Sequence, residues 1–192
     1  IKMTHFLGAF GIALSLSLSL DYDSGVSSDE QARLAYLGLD ISIDKAIALG
    51  FDGFNAASSA NIPPQSTVGI ASGTLTVTGQ VDQGNSANKG MRLLEELVNY
   101  SDDGKLVYVT SASALPALSM QLKGIPTGTL DGTLVGSLAV AGELSGSVQL
   151  NITFSGTLQP GVGTKVERKP GTTRITGTAT SGTGVYRVDV TR

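Results

Sequence analysis

The stretch "GTLVGSLAVAGELSGSVQLNITFSGTL", Gly132 to Leu158, separates by parity. Its even positions carry Leu134, Leu138, Val140, Leu144, Val148, Leu150, Ile152, Phe154 and Leu158, with Gly in the other even slots. The odd positions are mostly Thr, Ser, Ala, Gln, Asn and Glu. Successive side chains of a strand point to opposite faces, so this is β-structure with one apolar and one hydroxyl-rich face. Consecutive strands joined by short Gly turns pair antiparallel, which makes the segment a meander. A two-residue hairpin turn would invert the parity, so three-residue loops or glycine bulges are predicted. About ten large apolar side chains share the even face, roughly 20 kcal/mol of burial at about 2 kcal/mol each. That face must be covered, either by a core or by a ligand.

Parity extends to the N-terminus. Phe6, Phe10, Ile12, Leu14, Leu16, Leu18, Leu20 and Tyr22 are all even, which predicts a strand over 6–22 that bends near Gly8 or Gly11. The same run resembles a signal-peptide core, but no small-x-small site follows it in "DYDSG", and the start at Ile1 rather than Met reads as processing or truncation. "SSDEQARLAYLG" predicts a helix over 28–37: Ser27 with Glu30, or Ser28 with Gln31, fits a capping box, and Gly38 stands at the C-cap. "LDISIDKAIALGF" favours a strand, with Leu39, Ile41, Ile43, Ile47, Leu49 and Phe51 in odd phase broken only by Lys45, although "DKAIALG" suits a helical turn or two equally well. Pro63 and Pro64 mark 55–66 as a loop. Further strands are predicted over 73–81 and in "KLVYVT", with a closing hairpin in "TRITGTATSGTGVYRVDVTR". Met91, Leu94, Leu97 and Val98 suit the buried face of a second helix, 87–100.

The resulting expectation is one mainly β (α+β) domain, 1–192. It has an antiparallel, meander or sandwich-like sheet of long amphipathic strands, with the meander over about 105–192 and helices 28–37 and 87–100 packed on it. Gly-Thr-Leu recurs at 73–75, 128–130, 132–134 and 156–158 without even spacing, so no repeat array is implied. Gly on the apolar face lets a neighbouring element approach closely.

Composition narrows function. Apolar residues make up 41% and charged residues 15%, and the formal charge is −3, which provides no basic footprint for nucleic acid. The densest basic run, "KVERKPGTTR", reads as an exposed loop. With no Cys, disulfides, thiolate metal sites and cysteine nucleophiles are excluded. His5 is the only histidine, so a triad or histidine metal cluster lacks material, and no nucleophile elbow or Walker loop occurs. "GVGTK" (161–165) reads as a hairpin turn. No enzyme is expected.

Asp21, Asp23, Asp29 and Glu30 cluster around Gly25, the one grouping suggestive of calcium, although the spacing departs from the twelve-residue loop. Two sequons, at Asn99 and Asn151, matter only in a glycosylating host. Abundant Ser, Thr and Gly lean towards a secreted or cell-envelope setting. Three functions compete: a structural, surface or protein-interaction module, with partners or self-assembly through the N-terminal strand; a carrier of a lipid-like ligand; and a membrane-inserting β protein, which the scarcity of aromatics disfavours.

Overall fold

The structure is a computed structural model that describes residues 25–163, 165–182 and 184–192. The strand expected over 6–22, with His5, Asp21 and Asp23, lies outside the described residues.

Two helical pieces precede the strands: α1 (Asp29–Leu37) and α2 (Asp40–Ala56). Ten strands follow: β1 (Asn61–Val68), β2 (Ser72–Val81), β3 (Lys89–Ser101), β4 (Leu106–Val109), β5 (Ala117–Lys123), β6 (Thr129–Gly142), β7 (Gly146–Pro160), β8 (Val166–Arg168), β9 (Arg174–Ser181) and β10 (Gly184–Thr191). They form one antiparallel meander ordered β1-β2-β3-β4-β6-β7-β9-β10. β5 continues the place of β4 between β3 and β6, and β8 extends the outer side of β7 beyond β9. The fold is therefore mainly β with a helical layer, as expected.

The decisive stretch forms β6 and β7. Their loop, 143–145, has three residues, and Leu134 faces Ile152 while Leu138 faces Val148. Parity is thus conserved through the hairpin, and Leu134, Leu138, Val140, Leu144, Val148, Leu150, Ile152 and Phe154 are all buried. At Gly132, paired with Phe154, an added Cβ would stand 2.4 Å from the Phe154 ring, so the absent side chain leaves room for that ring.

What covers this inner face is the chain itself. α2 packs on β1, β2 and β3 and also on β8 near the far side of the sheet, while α1 packs on β10. Strands lie about 4.8 Å apart and a helix is about 10 Å across, so touching both sides requires the sheet to curl around α2.

That curl explains the first correction. Residues 39–51 are not a strand but most of α2. Ile43, Ala46, Ile47, Gly50 and Gly53 follow helical spacing, and Ser42, Leu49 and Phe51 are buried as well. A helix enclosed on several sides carries apolar residues in both parities, so alternation does not separate it from a strand.

The second correction is the reverse. Residues 87–100 form β3, not a helix, and pair with β2 and β5. Met91, Leu93 and Leu97 point inward with Glu95, whereas Leu94 and Val98 are exposed on the outer face. A charged residue inside and two aliphatics outside erased the alternation.

Two smaller corrections follow. Pro63 and Pro64 lie within edge strand β1, at a register irregularity between Ile62 and Gln65, where missing donors are tolerated. "KVERKPGTTR" is not wholly an exposed loop, because Val166 and Arg168 of β8 are buried.

Helix 28–37 is found almost as expected. Ser28 caps α1 by accepting from the Gln31 N–H, and Gln31 Oε1 accepts the Ser27 N–H. Gly38 has an ordinary right-handed φ of −64°, so the chain continues directly into α2 instead of making a left-handed stop.

Candidate functional site

The largest concentration of buried charge lies at the start of α2. Arg168 reaches it from β8, donating from Nη1 and Nη2 to the two carboxylate oxygens of Asp40 at 2.9 Å each and from Nη2 to the Asp40 carbonyl at 2.9 Å. The same guanidinium donates to Asp44 at 2.9 and 2.8 Å. Tyr36 Oη donates to Asp40 at 2.6 Å, and Arg192 stands 3.4 Å away. Burial alone would raise the Asp40 pKa, but hydrogen bonds and charge from Arg168 outweigh it and hold the carboxyl below its ordinary value. Burial, and then the charge of Asp40, push the Tyr36 hydroxyl up, so it stays a proton donor rather than a nucleophile.

Beside this cluster opens a cleft of about 360 Å³, lined by Asp40, Asp44, Arg168, Lys169, Pro170, Gly171, Thr173 and Arg192. Its central guanidinium is already committed to two carboxylates. The arrangement pins the β8 segment to α2 and contains no nucleophile–base pair.

A second cluster joins α2 to the end of β3. Asp102 is buried and accepts from Lys45 Nζ at 2.6 Å, from the Ile70 N–H at 2.9 Å and from Tyr100 Oη. Lys45 also lies 5.0 Å over the Tyr100 ring. Further along, Gly50 of α2 abuts Met91 and Leu93, and Lys89 sits 4.4 Å over the Phe54 ring. α2 therefore runs along β3 in the opposite direction.

Beneath that path lies Glu95. It is fully buried, and neither carboxylate oxygen has a hydrogen-bond partner among the described residues. Desolvation by burial pushes its pKa up from the ordinary carboxylate range to about 7.

Of the acidic residues singled out for calcium, Asp21 and Asp23 lie outside the described residues, and Asp29 and Glu30 each have a basic or backbone partner. Asp29 accepts the Arg187 N–H of β10 at 2.7 Å, and Glu30 pairs with Arg33 at 2.6 Å. No group of three or more His, Cys, Asp or Glu among the described residues is arranged to hold a metal ion.

On the outer face, Thr, Ser and Asn dominate, but an apolar zone interrupts them. Leu94, Ala117 and Val135 form one cross-strand row, and Val68, Thr74 and Val98 another. Leu94, Val98, Val109 and Val135 are each between about two-fifths and half exposed, and Val68 is 67% exposed.

Sequence reasoning located the inner apolar face but missed Arg168, Glu95 and Asp102. Glu95 carried a signal: it is the one charged residue among the odd positions from Met91 to Leu97, which are otherwise apolar. Arg168 carried none, since its partners are more than 120 positions away. Compared with known proteins, the chain stands apart: no protein-family model, curated protein or solved structure matches it.

Proposed function

We propose that this chain is a non-enzymatic β domain of the secreted or cell-envelope compartment, acting as a structural, surface or protein-interaction module. The observation that carries this reading is the burial of the inner apolar face within one core of the same chain, with α2 packed on β1, β2, β3 and β8 and α1 on β10. A carrier would need part of that face free for its guest. A membrane-inserting barrel would need it turned outward, whereas here the hydroxyl-rich face is the outer one.

The outer face is then the surface available to a partner, and its zone around Leu94, Val98, Val109 and Val135 is the part suited to protein contact. Both edge strands are blunted. β1 carries Pro63 and Pro64, and the Arg187 N–H on β10 is capped by Asp29. Face-to-face contact is therefore favoured over strand addition. The low content of Lys and Glu against Ser, Thr and Gly supports an extracytoplasmic setting.

Native mass spectrometry of the purified protein, with organic extraction, tests the reading. A bare mass near 19.6 kDa, or whole multiples of it, is expected. A solvent-released guest of lipid mass bound to each chain would overturn it in favour of a carrier.

A further inference from the structure

Glu95 lies on the inner face of β3 between Leu93 and Leu97 and is paired in register with Val77 of β2. Two contacts bracket it along α2: Lys45 with Tyr100 and Asp102 on one side, Gly50 with Met91 and Leu93 on the other. The carboxyl thus sits in the helix–sheet interface. Leaving a buried polar group without a partner costs stability, and leaving it ionised costs far more.

None of the charged groups facing this interface neutralises it. From α2, Lys45 is committed to Asp102, while Asp40 and Asp44 are committed to Arg168. From β3, the Tyr100 hydroxyl donates to Asp102, and Lys89 lies at the far end over Phe54. From β4, Tyr108 donates to the Ala35 carbonyl.

We infer that Glu95 is a proton-controlled latch beneath α2: protonated, it lets the helix lie closed on β3, and ionised, it draws water under the helix and loosens that contact. Burial places the changeover near neutrality, about pH 7. The two ends of α2 remain tethered by Arg168 and by Lys165, which donates to Asp52 at 3.0 Å, so the opening is confined to the middle of the helix. The consequence is a pH-gated exposure of Val77, Leu93 and Leu97.

Hydrogen exchange of the full chain at pH 6 and pH 8, with each rate divided by its intrinsic value, tests this. Amides in the middle of α2 and in β3 are expected to lose roughly tenfold or more of their protection at pH 8, while β6 and β7 keep theirs. Glu95→Gln is expected to abolish the difference, and Glu95→Met serves as the second variant if the amide folds poorly. Protection of α2 that is independent of pH, a loss spread equally over β6 and β7, or an unchanged pH response in both variants would each overturn the latch.

Discussion

Arg168 of β8 and Asp40 in the first turn of α2, 128 positions apart in the sequence, meet in a bidentate pair with both hydrogen bonds at 2.9 Å. The pair is buried on both sides, and Asp44 completes it. Removing one partner of such a pair leaves an uncompensated buried charge, which costs about 3–5 kcal/mol. Arg168→Ala should lower stability by that amount in urea unfolding. Arg168→Lys should recover only part of it, because an ammonium cannot form the two-pronged contact.

The same pair sets an acid limit. The Asp40 pKa is lowered in the folded state, so its contribution is fully present above the ordinary carboxylate pKa. It is lost as pH falls below that value and through the lowered one. Stability measured between pH 5 and pH 2 should fall more steeply in the natural protein than in Asp40→Asn, which has no carboxylate to protonate.

Glu95 works in the opposite direction. Its folded pKa, about 7, lies above the ordinary 4.5, so the unfolded chain releases its proton first as pH rises. The contribution of this residue is complete below pH 4.5, falls between 4.5 and 7, and is gone above 7. A difference of that size corresponds to roughly 3 kcal/mol. Glu95→Leu should therefore raise the melting temperature at pH 8 and do much less at pH 4.5.

Gly53 of α2 faces Ile62 of β1, and an added Cβ would stand 2.8 Å from the Ile62 Cβ. Helix propensity alone favours Gly→Ala by about 1 kcal/mol. The close approach reverses that sign, since overpacking of a core costs about 1–3 kcal/mol. Gly53→Ala should be destabilising in thermal unfolding.

Much of the architecture was legible because one physical pattern dominates it. In β6 and β7 the outer face is wet and the inner face dry, so alternation from Leu134 to Leu158 reports the sheet directly. Ser28 with Gln31 reported α1 for the same local reason, a backbone donor satisfied by a nearby side chain. Legibility failed where burial stopped matching a single period. α2 is enclosed by a curled sheet, so Ile41, Ile43, Ile47 and Leu49 mimic a strand. β3 holds Glu95 inside and Leu94 and Val98 outside, so it mimics a helix. The charged cluster at Arg168 depends on the long-range return of β8 to α2, which no local spacing reveals.

In the protein alone, α2 packs on the inner face of the sheet at β1, β2 and β3. Gly50 is predicted to touch Met91, where an added Cβ would stand 2.7 Å from the sulfur and 3.2 Å from the methyl carbon. The most direct measurement is NMR of delipidated protein, reading carbon shifts over 40–56 and nuclear Overhauser contacts from the Met91 methyl. Helical shifts together with a Met91–Gly50 contact are the predicted result. Extended shifts in that segment, or a contact that forms only after a hydrophobic guest is added, would contradict it.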